Sequence, residues 1–396
     1  MEDRYNYYKN LIQGERFPLA YVDLNLFNCN LVRILAKTKN KKIRIATKSI
    51  RSLALIKRIL QSDSRFQGVM SFDPREALFL SKNGIDDILL GYPTMQEQAV
   101  RDLCGEIKKG KKIIFMVDRV EHVRILRKIS ILEGCVLDVC LDVDMSTDFG
   151  SLHFGVKRSS IKNLKDLSEF MREFQQNKTL KVVGLMGYEA QIAGVGDKTE
   201  NLFKDLIIRL LKNMSWKKIK EKRMRFLSVL KHFYNQPIRL VNGGGTGSIR
   251  LTIEDEAVSE ITVGSGFFSP MLFDEYKDFK YEPAAGFALE ISRNPIDDVF
   301  TCNGGGYVAS GSVGKNKLPK PYLPEGAELT RLEGAGEVQT PVSYRGNYVL
   351  RVGDPIFFRH AKAGELCERF NELKLIHNGQ LIETVKTYRG EGLCFI

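Results

Sequence analysis

The sequence predicts an α/β protein: a closed (β/α)8 barrel of TIM type followed by a second, mostly antiparallel β domain. Between about residues 18 and 266, short runs rich in Val and Ile alternate with longer amphipathic segments. That repetition is what a parallel sheet requires, because each return to the same edge needs a crossover helix. About eight such units, with polar residues at the strand ends, favour closure into a barrel over an open sheet. From about residue 283 the helical periodicity stops, and Pro and Gly recur between short alternating runs. The boundaries read as 13–283 for the barrel and 284–396 for the β domain, which residues 1–12 join.

In chain order, residues 18–27 (PLAYVDLNLF) alternate apolar and polar side chains like a strand, and Asp23 or Asn25 can cap the helix that carries Leu31, Ile34 and Leu35. The strand KIRIATK follows, ending on Lys48, with a helix from about Ile50 to Leu60. GVMSF, DILLGYP and KIIFMVD are each followed by helical text, and VLDVCLDVD, KVVGLMGYE, IRLVNGGG and SEITVGSG complete the series. The basic run WKKIKEKRMR at 216–225 reads as a solvated helix, with Trp216, Ile219, Met224 and Leu227 inward and the cations outward. In the β domain, His377-Asn378-Gly379 is a hairpin turn, since Asn-Gly accommodates positive φ. Cys302-Asn303-Gly304-Gly305-Gly306 reads as a tight structural turn, and His122 and His232 as helix histidines.

Composition excludes several function classes. The 396 residues are 43% hydrophobic and 27% charged, ordinary for a soluble globular protein. No run reaches the roughly 18 apolar residues of a membrane helix. MEDRYNYYKN carries no apolar signal region, so a cytoplasmic location is expected. Seven cysteines without a CxxC pair suit free thiols in a reducing compartment. The net charge of +12 is not accompanied by a zinc-finger, KH or RRM signature, so no nucleic-acid partner is expected. The same charge suits an anionic small molecule.

Function in a (β/α) barrel collects at the carboxyl ends of the strands, with phosphate commonly held by the last two βα loops. Here Asn242-Gly243-Gly244-Gly245-Thr246-Gly247-Ser248 follows IRLV, and Gly264-Ser265-Gly266-Phe267 follows EITV. Positions without side chains let backbone N–H groups converge on a phosphate, and Thr246 and Ser248 add hydroxyl donors. The absence of GxxxxGK[ST] argues against a nucleotide triphosphate. Lys48 ends an early strand, where a partly deprotonated amine would be a carbonyl-capturing nucleophile.

Taken together, PLAYVDLNLFNCN, IRIATKS, GLMGYEAQ, VNGGGTGS and TVGSGFF resemble, in that order and spacing, the pyridoxal-phosphate enzymes of the alanine racemase barrel fold. Within it the likeness is greatest to the D-threonine aldolase and D-serine dehydratase branch. The resemblance implies a pyridoxal 5'-phosphate cofactor joined to Lys48 as a Schiff base. It implies that Gly244, Gly245, Thr246, Gly264, Ser265 and Phe267 surround the phosphate, and that Tyr188 lies beside the cofactor ring. Where the branch carries Arg-x-Gly-Val, this sequence has His153-Phe154-Gly155-Val156, so His153 or the nearby Arg158 takes that contact.

The branch also places a divalent ion through a His-x-Cys or His-x-Asp pair before a final hairpin. Counting back from the turn at 378 gives Cys367 as one ligand, Glu365 where histidine is expected, and His360 as a third. That set would suit zinc, or manganese or magnesium if carboxylate leads; the bland alternative is a buried Cys367 and a surface His360. The activity so implied is a lyase acting on a D-3-hydroxy amino acid, by retro-aldol cleavage or by dehydration and deamination, with a homodimer as the assembly. A racemase of the same fold is the rival, with Tyr307, Tyr344 or Tyr348 as its second acid–base group. A non-catalytic pyridoxal-phosphate carrier is a further alternative.

Overall fold

The computed structural model describes residues 3–175, 177–199, 201–234, 238–312 and 314–396. Eight parallel strands close a barrel in the ring order Leu240–Gly243, Glu260–Val263, Lys42–Ala46, Phe66–Ser71, Ile88–Leu90, Ile113–Val117, Leu137–Asp142 and Leu180–Met186. Closure is by pairing of the last strand with the first, Gly184 against Leu240. The strands alternate in the expected way. Ile43, Ile45, Val139 and Leu141 point outward under the helices. Leu89, Ile114, Met116, Cys140, Val183, Met186 and Leu240 fill the interior. Each such fully buried aliphatic side chain contributes about 1.5–3 kcal/mol.

At the amino-terminal end of the barrel the filling is ionic. Arg44 pairs with Glu260 at 2.7 Å and with Asp87 at 2.8 Å, while Asn242 donates to the same Glu260 at 2.7 Å. A buried charge left without a partner would be costly, and here every one is matched. The covering helices start and stop for local reasons. Asp23 caps Leu24–Thr38 by accepting from the N–H groups of Asn25 and Leu26, and Asp73 caps Pro74–Lys82, whose proline occupies the first turn. Gly134 ends Val120–Glu133 at φ 61°, a left-handed position that glycine tolerates.

The second sheet has the path Glu328–Leu329, Gln339–Ser343, Val299–Asn303, Ala285–Ile296, Leu19–Asp23, Glu372–His377 and Gln380–Lys386, with Lys320–Leu323 and Pro355–Arg359 attached to its side. It bears out the expected antiparallel β domain with one correction. Leu19–Asp23, which lies in the stretch assigned to the barrel, runs instead between Ala285–Ile296 and Glu372–His377, antiparallel to the first and parallel to the second. Its pattern explains the error, since all five residues are buried, as in a barrel strand. The Arg4–Leu11 helix packs on the same sheet through Tyr5 and Tyr8, whose rings meet Phe357, and Tyr8 donates to Asp23 at 2.6 Å. Asn378 and Gly379 sit at φ 48° and 76° in the final hairpin, as their sequence requires. All seven cysteines are free, and among the described residues no helix is long and apolar enough to cross a membrane.

Candidate active site at the barrel mouth

Strand Lys42–Ala46 delivers Lys48 to the carboxyl end of the barrel through a single 3-10 turn, Thr47–Ser49. Thr47 is buried and donates its hydroxyl to the Met70 carbonyl at 2.9 Å, which ties the turn to the neighbouring strand. Lys48 is exposed, and its Nζ donates to the Tyr92 hydroxyl at 2.7 Å. Burial alone would raise the Tyr92 pKa. The Lys48 charge and hydrogen bond, with the Arg158 charge, outweigh it and bring Tyr92 below the usual 10.0. Sequence reasoning does not single out Tyr92; an aromatic two residues after Ile88–Leu90, between Gly91 and Pro93, is the one signal that marks it.

Tyr188 follows Leu180–Met186, and the Arg158 guanidinium stands 6.0 Å from its ring centroid. Burial pushes the Tyr188 hydroxyl up to about 12, with Arg158 opposing. Asp142 ends Leu137–Asp142 two residues beyond the inward-facing Cys140, so its carboxyl belongs to the barrel interior. Burial first, then the charges of Asp118 and Asp144, raise its pKa to about 8 against the pull of Arg158. Lys48, Tyr92, Arg158, Tyr188 and Asp142 thus form one electrostatic neighbourhood.

Two glycine loops follow the pair of strands that lies between those leading to Tyr188 and Lys48 in the ring. Gly244 adopts φ 86°, and a Cβ at Gly245 would lie 3.0 Å from Ala193 Cβ. A Cβ at Gly264 would lie 2.7 Å from Ser49 Cβ, hard against the Lys48 turn. The loops are knitted together: Gly266 N–H donates to Thr246 Oγ1 at 3.1 Å, and the Ser49 and Ser265 hydroxyls meet at 3.2 Å. Behind the first loop Glu189 is fully buried, accepts from the Ser248 and Thr252 hydroxyls, and pairs with Arg223 at 3.1 Å. Arg223 also pairs with Asp255 and donates to the Gly187 carbonyl at 2.9 Å. This corrects the reading of the basic run. Arg223 is buried and Met224 is 62% exposed on the Leu202–Phe233 helix, because two buried carboxylates require the cation inside.

The family model of the alanine racemase N-terminal domain matches residues 22–268, the barrel from its first helix to the second glycine loop. The chain belongs to that family. Among solved structures, D-threonine aldolase from Filomicrobium marinum superposes with a TM-score of 0.79 at 16% identity, covering 96% of this chain and 97% of that one. D-threo-3-hydroxyaspartate dehydratase from Delftia sp. HT23 gives 0.76 at 13% identity, covering 94% and 98%. Alanine racemase from Bacillus anthracis gives 0.67 at 15% identity, covering 95% and 99%. At these identities the likeness shows the fold alone. No curated protein sequence matches the chain.

Members of the alanine racemase family bind pyridoxal phosphate, and the residues here fit that group. The glycine loops pack so closely that a Cβ at Gly245 or Gly264 would press on Ala193 or Ser49, which leaves bare backbone at a mouth where an exposed lysine amine also lies. Gly244, Gly245, Thr246, Gly264 and Ser265 are brought together as the resemblance implies. Phe267 is not part of the surface: its side chain is fully buried and stacks on Phe27 with centroids 5.8 Å apart, leaving only its backbone near the loop. Of the two candidates for the missing arginine, Arg158 joins the cluster. His153 lies on the small hairpin of Thr147–Phe149 and Leu152–Phe154, with its Nδ1 2.8 Å from Asp148 of the same hairpin.

The metal donors do not fit. Among the described residues no group of three or more His, Cys, Asp or Glu gathers at ligating distance. Cys367 sits on a 3-10 turn, Leu366–Glu368, rather than on a strand, so Glu365 and Cys367 do not share a face. The Cys367 thiol is buried, donates to the Ile50 carbonyl at 3.2 Å, and is pushed up to about 12 by burial, which disfavours the thiolate a metal needs. Glu365 is taken by the Ser310 N–H at 2.8 Å, the Ser310 hydroxyl and the Lys362 amine at 3.3 Å. His360 is not a surface residue: it is buried against Phe268, with its pKa lowered to about 3 by burial.

Proposed function

We propose that this chain is a pyridoxal-phosphate-dependent lyase acting on a D-3-hydroxy amino acid, by retro-aldol cleavage or by dehydration and deamination. The observation that carries the reading is the exposed Lys48 amine, hydrogen-bonded to Tyr92, beside two tightly packed glycine loops. The fold shared with an aldolase and a hydroxy amino acid dehydratase supports the substrate class. When bound, the cofactor supplies an electron sink for the bonds at the substrate Cα. Lys48 Nζ is then the group to hold or move the proton at that carbon, and Tyr92 Oη keeps that amine oriented and shares its proton. Arg158 and Tyr188 offer a cation and an aromatic face to the ring, and the glycine loops offer backbone N–H groups to the phosphate. No step is assigned to a divalent ion, because Glu365 and Cys367 are engaged elsewhere and, among the described residues, no cluster of three His, Cys, Asp or Glu forms around His360, whose ring nitrogens are buried without partners.

The racemase alternative has less support. Tyr348 donates to Asp3 at 2.5 Å, at the cap of the amino-terminal helix, and Tyr344 accepts from the Tyr348 N–H at 3.1 Å within its own loop, so both hydroxyls are taken. Tyr307 packs edge-on to Phe287 and Phe370. We extend the reading to a homodimer, which light scattering on the purified chain tests directly. The function is tested by incubating the protein with D-threonine and D-serine and assaying aldehyde plus glycine against 2-oxo acid plus ammonia. Interconversion of D- and L-alanine without either product pair would replace this reading by the racemase. Absence of a cofactor absorbance band, or its survival in Lys48→Ala, would remove it.

A further inference from the structure

The segment expected to bind a metal does something else in this chain: it grips the turn that carries Lys48. Besides the Arg51–Glu368 ion pair, four contacts cross from the β domain to residues 48–52. Gly364, at φ 83°, lies so close to the Lys48 carbonyl that a Cβ there would come within 1.9 Å of it. The Cys367 thiol donates to the Ile50 carbonyl at 3.2 Å. The Tyr388 N–H donates to the Arg51 carbonyl at 2.9 Å, and the Ser52 hydroxyl to the Lys386 carbonyl at 2.8 Å.

Arg51 is at the centre of them. Its φ is 51°, a left-handed conformation that a side-chain-bearing residue rarely adopts. The conformation turns the guanidinium back on its own turn, where Nε donates to the Lys48 carbonyl at 2.9 Å and a terminal nitrogen reaches Glu368 at 2.6 Å. Both partners of that ion pair are nearly buried, with side chains 10% and 11% exposed. A charge-assisted bond in such surroundings holds geometry better than a solvated one.

We infer that Arg51, held by Glu368, is a positioning residue that sets where the Lys48 amine stands relative to Tyr92, and that Cys367 is the second fastening of the same clamp and not a metal ligand. The inference rests on Lys48 being the cofactor lysine. A displaced turn would loosen the Lys48–Tyr92 contact and change the acidity of the amine, and a misplacement of about 1 Å at a reacting group can cost on the order of 100-fold in rate.

The test compares Arg51→Met, Arg51→Lys, Glu368→Gln, Cys367→Ser and Cys367→Ala as full-length, cofactor-loaded protein. Two readouts serve: the pH midpoint of the cofactor absorbance band, and backbone hydrogen exchange at residues 47–51 in protein stripped of cofactor. Expected are a displaced midpoint and at least 10-fold faster exchange in Arg51→Met and Glu368→Gln. Partial recovery is expected in Arg51→Lys, and near wild-type behaviour in Cys367→Ser, which keeps a donor. Val342→Ala, in the β-domain core, lowers Tm without moving either readout. The clamp is overturned if Arg51→Met lowers Tm but leaves midpoint and exchange unchanged. It is also overturned if the wild type retains one zinc per chain after dialysis and Cys367→Ser loses it. A wild type with no absorbance band refutes the cofactor reading instead, and the exchange measurement then decides the clamp alone.

Discussion

Lys48 Nζ donates to the hydroxyl of Tyr92 across 2.7 Å, joining the ends of two strands that stand two places apart around the barrel. Tyr92 gives up its proton below the usual 10.0, so it contributes an alkaline limb to the pH–rate profile that begins below pH 10. Tyr92→Phe should lose that limb and about 10²–10⁴ in kcat, the range for a positioned acid–base group, while the fraction of chains carrying cofactor stays unchanged. Steady-state rates across pH, with absorbance as the occupancy control, check this.

Arg223 lies between Glu189 and Asp255 with none of the three side chains more than 1% exposed. Arg223→Met leaves two buried carboxylates facing each other without a cation. The expected loss is about 3–5 kcal/mol, the usual consequence of removing one partner from a buried pair. Denaturant unfolding measures it, and the effect should exceed that of removing any exposed lysine of the same helix.

Gly264→Ala drives a methyl group to 2.7 Å from Ser49 Cβ and 2.9 Å from Ala46 Cβ. Overpacking of this kind costs about 1–3 kcal/mol. Because the strain falls between the phosphate cradle and the Lys48 turn, cofactor affinity should fall about tenfold for each 1.4 kcal/mol. Gly105→Ala, a helix position with open space around it, should leave affinity alone and add slightly to stability. Equilibrium titration of the stripped protein with cofactor separates the two.

Asp142 holds its proton to about pH 8 in the folded chain, whereas an unfolded chain releases it near 3.8. A raised folded-state value contributes stability that is complete below 3.8 and is lost as pH rises through 8. Asp142→Asn cannot ionise, so its Tm should fall less than that of the wild type between pH 5 and pH 9, measured by scanning calorimetry. The opposite order would mean that the carboxylate, not the acid, is what the barrel mouth accommodates.

What was legible in the sequence was whatever is local. Lys48 at a strand end and the two glycine loops are signals a few residues long, and the structure gathers them at one mouth. Tyr92 was missed because its meaning lies in a lysine 44 positions away. Arg223 was turned outward because helix periodicity carries no information about Glu189 and Asp255, the carboxylates that draw it in. Counting back from the turn at 378 marks Cys367 as a ligand but carries no information about the local backbone, which makes a 3-10 turn there and aims the thiol at the Ile50 carbonyl.

The Leu19–Asp23 strand is held between Ala285–Ile296 and Glu372–His377. During synthesis the first strand made must therefore wait for its first neighbour until Ala285–Ile296 has emerged, and for its second until nearly the last strand has left the ribosome. The barrel can close in the meantime, since its eight strands lie between residues 42 and 263. Cutting the gene at the barrel boundary would strand this apolar segment without neighbours and open a gap in the sheet it left. The two domains are thus distinct in space but interleaved along the chain, and a functional half-protein would have to carry residues 19–23 on the β-domain side.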